Sequence, residues 1–263
     1  MRVFASLAAA ATLAVASIAS SHATVLLYSQ NFENPVGYAN NGQDVSVQTV
    51  NSLYANQPPG FVFSQQFTVE TLRVGNGLAY GVGYQDPQNK AGNYVLGMLS
   101  SAQDDRLGLA FNVGSFDFLN FQFDLSSIDL NCCGGPFVPS GVVPTARISL
   151  YDNPGGGAGL GGGAPLDTID VTGLAGPNKS TFNWSNHIVG LDAENSTNGN
   201  VIMSIDLLTG GYAALDNFVI AASNTAGDVG AVPEPGSAAL VLLALCAATV
   251  AGRRSKRTIW PVH

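Results

Sequence analysis

The chain has 263 residues, of which only 11% are charged, and its ten Lys and Arg face eighteen Asp and Glu. The net charge of −8 and the lack of a basic patch in the body exclude nucleic-acid binding, because a phosphate backbone requires Lys and Arg contacts. Few charges together with 31 glycines are typical of an exported β-protein with turn-rich loops.

The first segment is an apolar stretch that follows a single cation. Arg2 precedes the uncharged run Val3–Ala19, and small residues stand at Ser21 and Ala23. This order predicts a secretory signal peptide over residues 1–23, cleaved after Ala23; the alternative is a retained N-terminal anchor. Between this segment and the C-terminal one, five Lys and Arg face seventeen Asp and Glu, so the body is acidic and favours cations.

Alternation of apolar and polar residues is the main pattern of residues 24–223. Leu119–Leu125, Ala146–Tyr151 and Val201–Leu207 each place apolar side chains on one face, as half-buried strands do. The other candidate strands are separated by turn-forming residues: Val25–Gln30, Phe67–Arg73, Leu78–Val82, Tyr94–Leu99, Leu107–Asn112, Leu166–Val171, Thr181–Trp184 and Ala214–Ala221. Because no helical period is convincing between the two ends, the sequence predicts an all-β, antiparallel β-sandwich over residues 24–223.

The first and last candidate strands carry acidic residues. Tyr28–Glu33 and Ala214–Ile220 resemble the first and last strands of jelly-roll carbohydrate-binding modules, where an acid from each strand often helps to hold a structural Ca²⁺. In regular alternation, Asp216 shares a face with Phe218 and Ile220, and a carboxylate there needs a partner or a cation. We therefore expect a jelly-roll-like topology and a Ca²⁺ site at Glu33 and Asp216; the alternative is a carboxylate capped by backbone N–H groups.

Three cysteines do not form the framework of a small disulfide-rich domain. Cys246 lies in the apolar C-terminal run, and Cys132 and Cys133 are adjacent. Neighbouring Cα atoms are about 3.8 Å apart, which is short for a disulfide. A vicinal disulfide, two free thiols and an intermolecular bridge therefore all remain open.

Catalytic motifs are weak throughout the body. His187 is its one histidine and lies in what the sequence predicts to be a polar loop, without a nucleophile elbow. Gly155–Gly163 lacks the Gly-Lys-Ser end of a phosphate loop. Carboxylates that can supply a glycosidase pair are Asp104, Asp105, Asp124, Asp129 and Asp152.

Glycan binding needs aromatic side chains beside polar groups. Tyr80, Tyr84 and Tyr94 stand close together in the sequence among Gly, Asn and Gln residues. They are candidates for a sugar-binding surface, and the alternative is that they are ordinary core and rim tyrosines.

The C-terminal segment has three ordered parts. Val232, Pro233, Glu234 and Pro235 precede the apolar run Gly236–Ala251, and four cations follow it: Arg253, Arg254, Lys256 and Arg257. The run is short for a bilayer span of about 20 residues, but a basic cluster after an apolar stretch is retained in the cytoplasm. The sequence predicts a linker over residues 224–235, a transmembrane helix over 236–252 and a basic cytoplasmic tail over 253–263; the alternative is a buried core helix.

This tail resembles the PEP-CTERM sorting signal of bacteria that make exopolysaccharide. The residues that carry the resemblance are Pro233-Glu234-Pro235, the apolar run, and Arg253-Arg254. The resemblance implies a transient partner, the membrane protease-transpeptidase exosortase, and an inner-membrane intermediate in a Gram-negative-type bacterium. It also implies delivery of the body to the cell envelope or the exopolysaccharide matrix.

We therefore expect a non-catalytic structural or glycan-binding protein, with exopolysaccharide as a partner. Two alternatives are an exported carbohydrate-active enzyme and a permanently membrane-anchored adhesin. Two carboxylates about 5–10 Å apart in an open groove would favour the enzyme. An intact C-terminal tail on the mature protein would favour the adhesin.

Overall fold

Nearly all regular structure is β-strand, as the alternating patterns predict. The computed structural model describes residues 24–54, 62–66, 69–99, 105–128, 142–209 and 211–230. In these ranges the chain forms β1 (Val25–Gln30), β2 (Val45–Ser46), the one-turn helix α1 (Val50–Leu53), β3 (Phe63–Gln66), β4 (Glu70–Arg73), a 3₁₀ turn (Ala79–Gly81), β5 (Tyr94–Leu99), β6 (Arg106–Asn112), β7 (Phe118–Ser127), β8 (Thr145–Asp152), β9 (Asp167–Thr172), β10 (Ser185–Asp192), β11 (Asn200–Thr209) and β12 (Tyr212–Ser223).

The strands form two antiparallel sheets that pack as a sandwich. One sheet has the order β10-β7-β12-β5-β4-β2, with β1 also paired to β12, and the other has the order β3-β6-β11-β8-β9. From β5 to β8, and again from β9 to β12, successive strands change sheet, as they do in a jelly roll. The antiparallel β-sandwich predicted from the sequence is therefore confirmed.

The core lies between the two sheets and uses one face of each strand. In β11, Val201, Met203, Ile205 and Leu207 all point into it, as their alternation predicts. The large ring of Phe218 meets Phe121 and Phe32 edge to face, with ring centroids 5.0 and 5.1 Å apart. These aromatic contacts join β12, β7 and the end of β1 at the centre of the core.

A bulge in β12 reverses which of its residues face the core. Ala213 and Leu215 face the core before the bulge, whereas Phe218 and Ile220 face it afterwards. The register against β7 shifts between Asp216 and Val219, and Asn217 has a φ of 53°. An extra residue in a left-handed conformation shifts the alternation of a strand, so that the residues after it point to the opposite faces of the sheet. The prediction that Asp216 shares a face with Phe218 is therefore wrong, and Asp216 lies on the opposite side of the sheet.

That opposite side of the seven-stranded sheet carries a second, smaller apolar cluster. Its buried members are Leu72, Ala79, Tyr84, Ala91, Val95, Ile128, Phe182, Trp184, Tyr212 and Ala214. They come from the strands and from two long connections, residues 74–93 and 173–184. Leu78–Val82, predicted to be a strand, is a 3₁₀ turn in the first connection, because Gly75, Gly77, Gly81 and Gly83 all have positive φ. These two connections cover the middle of the sheet.

The two ends of the folded body are tied to each other. The Thr24 hydroxyl donates to Asp228 Oδ2 at 2.5 Å. The fully buried Asn120 on β7 donates to the Asp228 carbonyl at 2.9 Å and accepts from the Gly227 N–H at 2.6 Å. The predicted linker thus begins with a segment, residues 224–229, that is hydrogen-bonded to the sandwich. The compact unit that contains the sandwich ends at Val229.

Candidate functional site

A pair of buried carboxylates lies where β5 and β1 meet on one edge of β12. β5 pairs with Tyr212–Leu215, and β1 pairs with Phe218–Ala222. Because β7 occupies the other edge of β12 along its length, β5 and β1 share this edge one after the other. The bulge at Asp216 and Asn217 lies at the junction, and the loop before β5 covers it.

Two carboxylates stand directly opposite each other at this junction. Asp216 on β12 is the cross-strand neighbour of Asp124 on β7, and the two residues are only 1% and 5% exposed. Directly opposed residues of an antiparallel pair have Cβ atoms about 5 Å apart. Two carboxylates at this separation cannot both remain charged at low cost, so their partners decide their states.

Asp124 is surrounded by nitrogen donors. Lys90 Nζ lies 3.4 Å from Oδ1, and Asn186 Nδ2 donates to the same oxygen at 3.1 Å. Asn217 Nδ2 donates to Oδ2 at 3.0 Å. Each of these donors favours the ionised carboxylate. Asp124 therefore has three nitrogen groups against its two oxygens.

Asp216 has the opposite environment. Its burial raises the pKa of its carboxyl to about 8. The Asn217 N–H, which donates to Oδ1 at 2.7 Å, lowers this pKa. The nearby charges of Glu33, Asp124 and Asp86 raise it further. At neutral pH Asp216 is therefore largely a neutral acid. The two carboxylates thus have different surroundings, because nitrogen donors lie against Asp124 whereas burial dominates at Asp216.

Glu33 closes the junction from the side of β1. Its carboxylate accepts hydrogen bonds from the Asn93 N–H at 2.8 Å, the Asn93 side chain at 2.9 Å and the Tyr94 N–H at 3.2 Å. A Cβ on Gly92 would lie 2.2 Å from Glu33 Oε1, so the carboxylate needs a glycine at this position. The residue therefore fastens the end of β1 to the start of β5.

The described residues do not assemble a metal centre at this place. Within those ranges, no group of three or more His, Cys, Asp and Glu side chains could hold a metal ion. Glu33 is engaged by N–H donors, and one Asp216 oxygen accepts its own neighbour's N–H. Calcium binding by Glu33 and Asp216 stays a prediction from the sequence resemblance.

Melting curves test this calcium prediction. If Ca²⁺ replaces the proton on Asp216, the melting temperature at pH 8.5 should be higher in excess calcium than in excess chelator. The same difference in melting temperature should be smaller at pH 5. The difference should vanish in Asp216→Asn, whose amide cannot supply the negative charge that a hard cation prefers. Identical curves in calcium and chelator at both pH values would remove the prediction.

A polar cavity of about 480 Å³ lies beside the junction. Its lining residues include Tyr84, Gln85, Asp86, Asn89 and Asn93. Asp86 is held by the Ala91 N–H, which donates to Oδ2 at 2.7 Å, and this bond shapes the loop that forms one wall. Gln85 Nε2 donates to the Val82 carbonyl and Asn93 Nδ2 donates to Glu33, so these two carboxamides can offer their oxygens to hydroxyl groups, and Asn89 adds a third carboxamide.

The tyrosines predicted as a sugar-binding surface do not act as one group. Tyr84 is 1% exposed and stacks on Phe182, with ring planes 3° apart, so it belongs to the second apolar cluster. Tyr94 is half-buried and packs against Tyr38 at 5.1 Å between ring centroids. The side chain of Tyr80 lies outside the described residues. The cavity is thus polar, with little exposed aromatic surface on Tyr84.

Two other carboxylates proposed for a glycosidase pair have separate structural roles. Asp105 is fully buried and accepts from the Leu99 N–H at 2.8 Å, and Asp152 accepts from the Thr197 N–H at 2.9 Å. Hydrogen bonds from Thr197 lower the pKa of Asp152. Asp104 and Asp129 lie outside the described residues. The close carboxylate pair of the structure, Asp124 and Asp216, is buried and not in an open groove.

His187 lies in β10 and not in a loop, so this prediction is wrong. β10 is an edge strand, and its alternate residues Asn186 and Ile188 are exposed, which makes its sequence look like a loop. The imidazole Nε2 is 2.7 Å from the Ser185 hydroxyl, which also donates to the Leu125 carbonyl at 3.1 Å. Burial lowers the pKa of His187, opposed by the charge of Asp124. The pair supports the strand edge next to Asp124.

A half-buried acid away from the junction, Glu70, was not among the candidate residues of the sequence analysis. Glu70 on β4 accepts a short hydrogen bond from the Tyr212 hydroxyl, and the Tyr212 ring crosses the strand where Gly97 leaves room for it. Burial raises the pKa of Glu70 to about 7, with an added contribution from Asp105. Period-two alternation alone does not distinguish a covered polar face from an exposed one.

Several predicted features lie outside the described residues. They are the signal peptide over residues 1–23, Cys132 and Cys133, the sorting-motif residues Val232, Pro233, Glu234, Pro235, Arg253 and Arg254, and the transmembrane helix over residues 236–252. Within the described ranges, no helix combines the length and the hydropathy that a membrane crossing requires.

Solved structures that resemble this sandwich are distant in sequence. The C-terminal family 22 carbohydrate-binding module of a Clostridium thermocellum protein is 16% identical, with a TM-score of 0.38, over 75% of this chain and 94% of that one. The K3 cleaved adhesin domain of Lys-gingipain from Porphyromonas gingivalis is 14% identical, with a TM-score of 0.36, over 76% and 99%. A Stig cyclase from Fischerella sp. TAU is 12% identical, with a TM-score of 0.41, over 76% and 98%. Likenesses this distant do not indicate what this chain binds or does.

The C-terminal segment has a family match of its own. No curated protein sequence matches the chain. Residues 231–257 match the model of the PEP-CTERM protein-sorting motif, and this range contains the Pro-Glu-Pro triplet, the apolar run and the basic cluster. The motif implies an exported protein that exosortase processes. The chain therefore carries the PEP-CTERM sorting motif directly after its folded β-sandwich.

Proposed function

We propose that this protein is a non-catalytic component of the cell envelope or exopolysaccharide matrix that binds glycan through the polar cavity beside β5. The observation that carries the proposal is the lining of that cavity by Gln85, Asp86, Asn89 and Asn93. The sorting motif supports it as well, because it implies that the protein is exported. Exosortase releases the body from its inner-membrane intermediate by cleavage near Pro233–Pro235. The acidic body favours a neutral or cation-bridged polysaccharide, because an anionic polymer alone would be repelled.

The burial of Asp124 and Asp216 supports the non-catalytic role. A glycosidase needs both carboxyl groups in contact with the sugar. Here Asp124 and Asp216 are 5% and 1% exposed, and Lys90 and Asn217 lie against Asp124. An enzymatic role would therefore need an opening of this junction.

Processing is tested by the intact mass of the mature protein, recovered from cells with and without exosortase. We expect the residues after about Pro235 to be lost only when the enzyme is present. A tail that is retained in both strains would instead favour the permanently anchored adhesin. The signal peptide is tested by the same spectrum, which should show Thr24 as the first residue.

Glycan binding is tested with the mature protein and the exopolysaccharide of its own host. Asn89→Gly removes a carboxamide from the cavity wall, and glycine suits its φ of 53°. Loss of one or two hydrogen bonds should weaken binding by about fivefold to tenfold. Asn195→Gly, the same change in the exposed turn after β10, is the matched control. Equal binding by both variants would exclude the cavity as the glycan site.

A further inference from the structure

Lys90 and Asp124 form an ion pair of unequal exposure. Lys90 Nζ lies 3.4 Å from Asp124 Oδ1, and the two side chains are 38% and 7% exposed. The amine reaches from the loop before β5 onto a carboxylate in the interior of the seven-stranded sheet. The amine of Lys90 is in contact with water and can exchange protons with it, while the carboxyl group of Asp124 is shielded from solvent. This ion-pair distance places the amine next to the carboxyl group whose carbon, Cγ, it would attack.

The Asp124 carboxyl group is polarised by amide donors on both oxygens. Asn186 Nδ2 lies 3.1 Å from Oδ1, and Asn217 Nδ2 lies 3.0 Å from Oδ2. Donors at this range stabilise the negative charge that develops when a nucleophile adds to a carboxyl carbon. The Asn217 side chain also reaches the Lys90 carbonyl at 3.4 Å, so one residue touches both partners.

A neutral acid stands directly opposite this carboxyl group. Asp216 is the cross-strand neighbour of Asp124, and it is 1% exposed. Its burial raises the pKa of its carboxyl to about 8, so at neutral pH it still carries a proton. The charged groups that act on it are Glu33, Asp124 and Asp86, and Lys90 lies against Asp124. The junction therefore combines an amine, a polarised carboxyl group and a proton donor.

We propose that Lys90 and Asp124 condense into an intramolecular isopeptide bond, with Asp216 as the acid that transfers the proton. Neutral Lys90 Nζ attacks Asp124 Cγ, and the new C–N bond forms as one C–O bond breaks. The departing oxygen takes one proton from Asp216 and a second one from solvent, which replaces the proton that the Lys90 ammonium released before the attack, so it leaves as water. Asp216 then takes a proton back from the amide nitrogen. The ammonium and carboxylate together become one amide and one water molecule, so no oxidant, reductant or cofactor is needed.

This bond would tie the loop before β5 to the middle of β7. The loop carries Asp86 and Asn89 of the cavity wall, so the same bond fixes one side of that cavity. Cross-links that close long loops restrict the unfolded chain, and the 34-residue separation of Lys90 and Asp124 is long. An exported sandwich gains a covalent staple that does not depend on the redox state of its surroundings.

Mass spectrometry of the mature protein tests the bond. We expect the intact mass to be lower than the sequence mass by one water molecule. We also expect trypsin to leave Lys90 uncut and to yield a branched peptide that joins the loop to β7. A mature protein with the full sequence mass, or a water loss that maps to any other pair of residues, would overturn the proposal.

Two variants separate the chemistry from the fold. Lys90→Arg keeps the positive charge and the ion pair, but its guanidinium does not condense, so the full sequence mass should return. Asp216→Asn keeps the size of the acid and removes its transferable proton, so the unlinked form should predominate. Both should fold, as circular dichroism can check, and both should melt at a lower temperature than the linked protein at pH 5. A water loss that persists in Lys90→Arg would contradict the assignment.

Discussion

Replacing Asp216 with asparagine should remove most of the fall in the free energy of unfolding that the folded body shows as the pH rises. The folded-state pKa of Asp216 is about 8, far above that of an Asp in an unfolded chain, because the carboxyl is buried beside other acids. The folded state therefore holds a proton that the unfolded state has lost, and the free energy of unfolding falls as the pH rises through the interval between about 4 and about 8. Each pKa unit corresponds to about 1.4 kcal/mol, so the total loss amounts to several kcal/mol.

Urea unfolding at pH 5 and pH 8.5 measures this effect. Wild type should lose several kcal/mol between the two values, whereas Asp216→Asn should lose much less and should be the more stable protein at pH 8.5. Glu70→Gln should remove a smaller part of the slope, between about 4.5 and 7, because the pKa of Glu70 is about 7. Making each change in a Lys90→Arg chain separates the pH effect from the proposed bond. Parallel slopes in all the chains would contradict the assigned protonation state.

The second large effect is expected at Phe218. Its side chain is fully buried and meets Phe32 and Phe121 edge to face, at 5.1 and 5.0 Å between ring centroids. Phe218→Ala removes these contacts and leaves a cavity between two sheets that cannot collapse freely, so the free energy of unfolding should fall by about 3–5 kcal/mol. The urea midpoint should shift while the m-value stays constant.

Ile188→Ala is the control for this prediction. Ile188 lies on the edge strand β10 and is 48% exposed, so its truncation should change the stability by less than about 0.5 kcal/mol. If Phe218→Ala were as mild as this control, the contacts between β12, β7 and β1 would not be the centre of the core.

The interior strands were predictable because one face of each is apolar. β1 and β5 have the predicted bounds, and Leu119–Leu125 and Val201–Leu207 lie inside β7 and β11. β10 does not show the alternation of a half-buried strand, since the apolar Ile188 is exposed and the buried residues are only Val189 and Leu191. The predicted strands Thr181–Trp184 and Leu78–Val82 are not strands in the structure. Phe182, Trp184 and Ala79 pack in the second cluster, whereas Leu78 and Val82 are exposed.

The candidate site depends on information that no local pattern contains. Asp216 was recognised as a carboxylate beside apolar residues, but the bulge at Asn217 moves it to the other face of the sheet. Lys90, Asp124 and Asn186 come together only through the pairing of β7 with both β10 and β12 and through the fold of the loop before β5. Register between distant strands is a tertiary property, so the sequence indicated the acid but not its neighbours.

The bond between Thr24 and Asp228 has a topological consequence. Thr24 lies beside Asp228, and Asp228 is bonded to Asn120 of the sheet, so the two ends of the folded body are close together. The strands can therefore keep their places in the sheets when the chain starts and ends elsewhere. A circular permutant that joins these ends by a short linker and opens in the glycine-rich connection after β8 should therefore refold into the same sandwich. The sandwich would then depend on the contacts between its strands and not on where the chain begins and ends, whereas sorting depends on a motif at the C-terminal side of the body.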